Sequence, residues 1–179
     1  KYVSILNPDG SLQLAVCEDN CTASITPDYL DSKSAYLTQF DLWVIDTNLS
    51  DETLQWCIDF CNNQQKKLII EPVSVPKAQK LAALSLDGVF MITPNEEELL
   101  AILGNSIEAS ATELLDKGVA QVWLRKGALG SELHLSQKVT ILPAKKVAVT
   151  DTTGAGDAAL AAWIYGFLSN ENPENCLQM

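Results

Sequence analysis

One short segment combines glycines with carboxylates: Asp151-Thr152-Thr153-Gly154-Ala155-Gly156-Asp157. It follows a β-rich run at 145–150 and leads into small residues at 158–162, so a helix is predicted to start directly after a strand. Both glycines let the backbone adopt positive φ beside a ligand, and the first free amides of the helix bind anions. The final aspartate is placed to take a proton from a hydroxyl. The pattern indicates phosphoryl transfer; the alternative is an ordinary β-to-α turn with acidic first-turn and loop residues.

These seven contiguous residues resemble the carboxyl-terminal signature of the ribokinase (PfkB) family of carbohydrate and nucleoside kinases. The resemblance implies that Asp157 is the catalytic base and that the amides of residues 154–156 form an anion hole. It also implies that Asp151 and Thr153 are candidate ligands of an activating monovalent cation, with K⁺ as the candidate ion.

A second segment, Thr93-Pro94-Asn95-Glu96-Glu97-Glu98, follows an apolar run. Local rules predict a helix with Thr93 as N-cap, Pro94 at its first position and Glu96 closing a capping box. Asn95 and Glu98 lie three residues apart, so they share a helix face near the carboxyl end of the strand, where α/β proteins bind ligands. They resemble the Asn-x-x-Glu motif of the family, which implies that they hold hydrated Mg²⁺ and phosphates.

A third segment, Arg125-Lys126-Gly127-Ala128-Leu129-Gly130, follows a predicted strand. It is similar to the nucleotide-binding turn of the family, Thr-x-Gly-x-x-Gly, with Arg125 at the threonine position. The resemblance implies nucleotide binding by Arg125, Lys126, Gly127 and Gly130, and a guanidinium suits a phosphate chemically. The alternative is a tight β-turn that carries two surface cations.

Composition favours an enzyme with a substantial core. The chain has 179 residues, 47% of them hydrophobic, with no apolar run of membrane-spanning length and no signal-like start, so no membrane partner is expected. A net charge of -11 argues against a nucleic-acid partner but not against ATP, which arrives as a magnesium complex. Five cysteines in no zinc-ligand pattern predict reduced thiols in the cytoplasm.

Cys57 and Cys61 are predicted to pack as small apolar residues on the buried face of a helix that Ser50 opens. His134 alternates with leucines and is predicted to be an exposed strand residue rather than a catalyst.

Strand and helix patterns alternate along most of the chain. Strands are predicted at 41–46, 67–71, 88–92 and 121–125, and helices at 50–64, 76–84, 94–103 and 111–117, with Gly118 as a helix stop. The alternation predicts an α/β fold with a mainly parallel sheet covered by helices. Residues 1–6 and 11–16 flank a turn and predict a hairpin.

The resemblance implies a ribokinase-like fold and one partial kinase domain over residues 1–179. Residues 1–22 would be strands of a small β lid over the sugar site, through which a homodimer forms, and 23–179 the α/β core. The alternative for the hairpin is an edge of the main sheet. The amino-terminal sugar-binding part and the carboxyl-terminal end of the family domain are absent, so we expect the 179-residue chain alone to be inactive.

Residues 1–10, 26–30 and 71–78 look like the pseudouridine kinase subgroup, which usually has Asp where this chain has Glu71. The implied function is phosphorylation of a ribosyl hydroxyl by ATP and Mg²⁺, with the 5'-hydroxyl of pseudouridine as the favoured acceptor. Another sugar or nucleoside kinase, resembling ribokinase or adenosine kinase, is one alternative. A non-catalytic nucleotide-binding or assembly module is the other.

Overall fold

The computed structural model of the protein describes residues 2–8, 12–17, 21–104, 110–148, 152 and 154–178. Two compact units divide the chain: Lys1–Asp19 with Leu142–Met179 form one, and Asn20–Ile141 form the other. The first unit contains a β-hairpin and the last two helices, and the second contains the main sheet with its helices. The lid boundary after residue 22 stays a prediction.

The amino-terminal hairpin pairs β1 (Tyr2–Leu6) with β2 (Leu12–Cys17) in antiparallel register. It forms its own two-stranded sheet and is not an edge of the larger sheet. Because side chains alternate across a strand, Val3, Ile5, Leu14 and Val16 share one face. These four side chains are about half exposed, so the hairpin has an apolar face open to solvent within the chain.

The main sheet has six strands that follow one another in chain order. They are β3 (Leu42–Asp46), β4 (Lys67–Glu71), β5 (Met91–Ile92), β6 (Gln121–Arg125), β7 (Ser131–Leu135) and β8 (Lys138–Leu142). The first four run parallel, and β7 returns antiparallel to β6. The predicted α/β class with a mainly parallel sheet is therefore confirmed.

Eight α-helices lie in the described part of the chain. They are α1 (Pro27–Asp31), α2 (Ser34–Leu37), α3 (Asp51–Asn63), α4 (Val75–Ala78), α5 (Glu96–Ile102), α6 (Ala111–Asp116), α7 (Ala155–Leu168) and α8 (Pro173–Cys176). Of these, α3 to α6 connect the parallel strands. Ser50 caps α3 as predicted, and Gly118 follows α6 at a φ of 93°. Within the described part of the chain, no helix is both long enough and apolar enough to cross a bilayer.

The core lies between the parallel strands and the helices. Apolar residues of α3, β4, β5, α5 and α6 form one buried cluster, which includes Leu54, Ile58, Leu68, Ile70, Ile92, Ile102 and Leu114. Continuous apolar runs such as that of β4 are expected where both faces of a parallel sheet are covered. Burying each such side chain contributes about 1.5–3 kcal/mol, so this cluster fixes the ends of the strands where polar residues follow.

Three predicted elements differ from the observed ones. The strand predicted at 88–92 is short, because the N–H of Val89 donates to Leu86 in a turn and only Met91–Ile92 pair as β5. The helix predicted at 76–84 continues as a 3-10 turn at Gln79–Ala83, where the Lys80 ammonium donates to the carbonyls of Thr47 and Leu49. Residues 145–148 form no strand and are exposed, and residues 149 and 150 lie outside the described residues.

The cysteines of α3 are buried, as predicted, and this yields a test of the core. Cys57 is 2% and Cys61 1% exposed, and burial raises the pKa of each thiol to about 12. At pH 8 their thiolate fraction is on the order of 10⁻⁴, while Cys21 is exposed. A maleimide should therefore label Cys21 in the folded protein and label Cys57 and Cys61 only after unfolding in urea.

Mass spectrometry of the peptides would give the labelling rate of each thiol separately. Labelling of Cys57 or Cys61 in the folded protein as rapidly as Cys21 would contradict the packing of α3.

Candidate active site

Polar residues gather at the carboxyl ends of three neighbouring parallel strands. Glu71 ends β4, Thr93 follows β5 and Arg125 ends β6. Nη2 of Arg125 donates to Oε1 of Glu71 at 2.5 Å and to the Thr93 carbonyl at 2.5 Å, and the Thr93 hydroxyl donates to Oε2 of Glu71 at 2.5 Å. Glu71 is 9% and Thr93 0% exposed. The three residues form a closed and mostly buried ring of hydrogen bonds, which we call the Arg125 ring.

Helix α5 begins beside this ring, and its N-cap is Asn95. The prediction of Thr93 as N-cap and Pro94 as first helical residue is wrong. The N–H of Thr93 donates to Ile70 and the N–H of Arg125 donates to Pro94, so the chain stays extended alongside its neighbours until Asn95. Pro94 also disfavours helical backbone at the residue before it.

Asn95 and Glu98 close a capping box. Oδ1 of Asn95 accepts from the Glu98 N–H at 2.8 Å, and Oε2 of Glu98 accepts from the Asn95 N–H at 2.9 Å. Helix capping therefore accounts for both residues by itself, because each side chain satisfies a free amide of the other. A role in metal binding therefore stays a proposal that needs its own test.

The Glu98 carboxyl group lies in an unusual environment for an acid. It is 3% exposed, and this burial raises its pKa, while the Asn95 hydrogen bond and the positive charge of Arg125 oppose the rise. Nη2 of Arg125 lies 3.9 Å from Oε2 of Glu98. Oε1 makes no hydrogen bond within the part of the chain that the structure describes, so one carboxylate oxygen is uncommitted there.

The turn after β6 is tight and contains Gly127–Leu129 as a 3-10 turn. The N–H of Lys126 donates to the Gly130 carbonyl at 2.8 Å, and Gly130 has a φ of 101°, which a residue with a side chain rarely adopts. The Lys126 ammonium lies 2.8 Å from Glu132 and 3.8 Å from Glu96, and the hydrogen bond to Glu132 raises the pKa of Lys126. The predicted cation is thus present at the turn, held between two carboxylates.

His134 on β7 is 9% exposed, so the prediction of an exposed strand residue is wrong. Its Nε2 lies 2.9 Å from Oε2 of Glu132, the carboxylate that also binds Lys126. Alternation along β7 predicted that His134 lies on the exposed face, opposite to Leu133. Both side chains are buried instead. His134 thus contacts the same carboxylate that holds Lys126 at the turn.

The glycine segment opens α7 as the sequence predicts. Gly154 is the N-cap residue in the left-handed region, at a φ of 76°, and as a glycine it provides no side-chain cap. Gly156 lies inside the first helical turn, so only Gly154 uses the positive φ expected of both glycines. The N–H of Ala155 donates to the Thr152 carbonyl at 3.1 Å. The amides of Gly156 and Asp157 come next, in the turn where helical amides have no partner within the helix.

Asp157 is exposed in this first turn, beside those amides. A carboxylate and the amides of a helix start can together accept a proton and bind an anion. The predicted cation ligands Asp151 and Thr153 lie outside the described residues. Asp157 belongs to one compact unit, and Asn95, Glu98 and the Arg125 ring belong to the other.

The oxygen donors present suit Mg²⁺. Magnesium is bound through one or two protein carboxylates together with waters and substrate phosphates, so a protein cage of three acidic ligands is not required. Among the described residues, no group of three or more His, Cys, Asp or Glu side chains forms such a cage. The uncommitted oxygen of Glu98 and the side-chain amide oxygen of Asn95 fit a site in which waters and phosphates supply the remaining ligands.

Sequence and structure comparisons define the class of this protein. The profile of the pfkB family of carbohydrate kinases matches residues 1–179, and the chain belongs to that family. The carbohydrate kinase from Agrobacterium tumefaciens superposes with a TM-score of 0.79 at 25% identity, covering 98% of this chain and 57% of that one. The ribokinase of Arabidopsis thaliana solved with ribose and ATP has a TM-score of 0.76 at 21% identity, with 98% and 58% covered. The predicted ribokinase-like fold is confirmed.

Curated relatives show a similarly low sequence identity. The ribokinase of Bacillus subtilis (strain 168) is 25% identical over 154 residues, 86% of this chain and 50% of the relative. The pseudouridine kinase of Escherichia coli (strain K12) is 26% identical over 176 residues, 92% of this chain and 55% of the relative. The chain thus spans about half the length of these relatives.

Proposed function

We propose that the full-length protein transfers the γ-phosphoryl group of ATP to a hydroxyl group of a sugar or nucleoside. The observation that carries this proposal is the start of α7, where Gly154 is a left-handed N-cap residue without a side chain and Asp157 is exposed in the first turn. Membership of the pfkB family supports the same reaction.

In the proposed step, the acceptor hydroxyl oxygen bonds to the γ-phosphorus while the bond from that phosphorus to the β–γ bridging oxygen breaks. The Asp157 carboxylate takes the hydroxyl proton, and ADP leaves. The amides of residues 154–156 form the anion hole for the charge that develops on the phosphoryl oxygens. To join this anion hole, the Ala155 N–H exchanges its hydrogen bond to the Thr152 carbonyl for one to the phosphoryl group.

Asn95 and Glu98 are the proposed protein side of a Mg²⁺ site, through water and the nucleotide phosphates. A Mg²⁺ ion held there would compensate the negative charge of the phosphates. Glu98 can serve through Oε1 because its capping bond uses Oε2. Asp151 and Thr153 remain the proposed ligands of a monovalent cation such as K⁺.

Lys126, Gly127 and Gly130 are proposed to bind the nucleotide at the turn after β6. The φ of Gly130, at 101°, supports a backbone that comes close to a ligand without side-chain obstruction. Arg125 was predicted to join them, but its guanidinium donates to Glu71 and Thr93.

Pseudouridine, at its 5'-hydroxyl, is the favoured acceptor. The segments 1–10, 26–30 and 71–78 support it by their likeness to pseudouridine kinases, as does the Escherichia coli relative. A homodimer through the hairpin is also proposed, and the half-exposed apolar face of β1 and β2 supports it. The thiols of Cys21, Cys57, Cys61 and Cys176 are free, which supports a reducing compartment such as the cytoplasm.

The acceptor is tested by ADP release from magnesium-ATP with pseudouridine, uridine, ribose, adenosine and fructose phosphates. Turnover with pseudouridine well above that with the other compounds is expected. Turnover with ribose or adenosine instead would keep the reaction and replace the acceptor. Binding of ATP without turnover on any acceptor would favour the non-catalytic nucleotide-binding module.

A further inference from the structure

We propose that Arg125 is a positioning residue that sets the magnesium requirement of the protein through Glu71 and the start of α5, and that it is not a phosphate ligand. The inference rests on the proposed function, since it assumes that Asn95 and Glu98 serve a magnesium-nucleotide complex. It assigns a role to Arg125, which replaces the threonine of the family's nucleotide-binding turn, and to Glu71, where the pseudouridine kinase subgroup usually has Asp.

The first support is the commitment of Nη2, one of the three guanidinium nitrogens. Nη2 of Arg125 donates to both Glu71 and the Thr93 carbonyl at 2.5 Å. The side chains of Arg125 and Glu71 are 17% and 12% exposed, so the ion pair is largely removed from water. Loss of one partner would leave the other as an uncompensated buried charge, which is strongly destabilising, so the ion pair is expected to stay intact. A phosphate would have to displace Glu71 to bind the same donors.

The second support is what the ring holds. Thr93 is bound through its carbonyl by Arg125 and through its hydroxyl by Glu71, and the Arg125 backbone N–H binds Pro94. Asn95 follows directly, and it pairs with Arg125 in an isolated parallel bridge. The residues that lead into the capping box are thus attached to β4 and β6 on both sides.

The third support is the division of charge. Arg125 lies 2.5 Å from Glu71 but 3.9 Å from Glu98, so its strong bond goes to the former. Glu71 is thereby occupied, while Oε1 of Glu98 has no hydrogen-bond partner among the described residues and a positive charge lies nearby. Glu71 therefore positions the site, and Glu98 is available to bind the metal. Partners that orient metal ligands typically contribute 10- to 100-fold to metal affinity.

The test is a double-mutant cycle in the full-length protein with Arg125→Met, Glu71→Gln and the pair. The Mg²⁺ concentration that half-saturates ATP binding is measured by calorimetry, and that for half-maximal turnover is measured in the same buffers. Each single variant should raise both concentrations about tenfold. Since both residues act through one ring, the double variant should be no worse than either single variant.

Three further observations separate positioning from phosphate binding and from general destabilisation. ATP affinity without Mg²⁺ should stay unchanged in Arg125→Met, the acceptor KM should not move, and Arg125→Lys should recover part of the loss. Lys66→Met is the matched control, because it removes one cation from the 2.8 Å pair with Asp41 on the same unit. It should leave the Mg²⁺ requirement unchanged.

Weaker ATP binding without Mg²⁺ in Arg125→Met but not in Glu71→Gln would overturn the inference and make Arg125 a phosphate ligand. Additive losses in the double variant would also overturn it, because Arg125 and Glu71 would then act independently. If Arg125→Met fails to fold, Arg125→Lys and Glu71→Gln carry the same comparison. An unchanged Mg²⁺ requirement in all variants would overturn the inference alone. A wild-type protein with no Mg²⁺-dependent ATP binding would overturn the proposed function together with it.

Discussion

Asp157→Asn in the full-length protein should lower kcat by about 10²- to 10⁴-fold, the usual contribution of a positioned general base. The amide of Asn cannot accept the hydroxyl proton, although it has nearly the shape of the carboxylate. Affinity for magnesium-ATP should stay close to that of the wild type, because the amides of residues 154–156 belong to the backbone. Steady-state kinetics on the best acceptor and calorimetry with ATP measure the two effects separately.

Asp51→Asn is the matched control for this change. Asp51 is also an exposed acid in the first turn of a helix, α3. Both substitutions remove a charge that favours the helix dipole, at a cost of about 0.3–1 kcal/mol of stability. Turnover near the wild-type value in Asp157→Asn, or an equal loss in Asp51→Asn, would contradict the role of Asp157 as base.

Glu98→Gln should raise the Mg²⁺ concentration for half-maximal turnover by at least about 100-fold, since loss of merely the outer partners of a metal ligand costs 10- to 100-fold. The glutamine oxygen can still accept from the Asn95 N–H, so the capping box is retained. The cost in stability should therefore stay below about 1 kcal/mol. Thermal unfolding and the Mg²⁺ dependence of kcat distinguish the two roles of this buried residue.

The second capping box of the chain provides the control. Ser110 and Glu113 form the same reciprocal box at the start of α6. Glu113→Gln should have a similar small effect on stability and none on the Mg²⁺ requirement. If Glu98→Gln and Glu113→Gln behave alike in both measurements, Glu98 is a helix cap and not a metal residue.

The N-cap residue of α5 could not be predicted from local sequence rules. Thr93 with Glu96 and Asn95 with Glu98 are both valid capping boxes in the sequence. The choice between them depends on two hydrogen bonds, from the Thr93 N–H to the Ile70 carbonyl and from the Arg125 N–H to the Pro94 carbonyl. Ile70 and Arg125 lie far away in the chain, and these bonds hold Thr93 and Pro94 in extended backbone. No window of local sequence contains that information.

Arg125 shows the same limit for the site. Its position after a strand and before a glycine turn was predictable, and its type suggested phosphate. The guanidinium donates to Glu71, which lies at the end of a different strand. Only the order of β4, β5 and β6 in the sheet brings Arg125 and Glu71 together. The start of α7 was predictable because Gly154 and the helix that follows depend on local backbone geometry alone.

The most direct test of the proposed reaction is ³¹P NMR of the full-length protein with magnesium-ATP and pseudouridine. We predict a phosphomonoester resonance of the acceptor that grows in step with ADP and is nearly absent with Asp157→Asn. Bound ATP that is never consumed, or ATP converted only to ADP and inorganic phosphate, would contradict phosphoryl transfer to an acceptor hydroxyl.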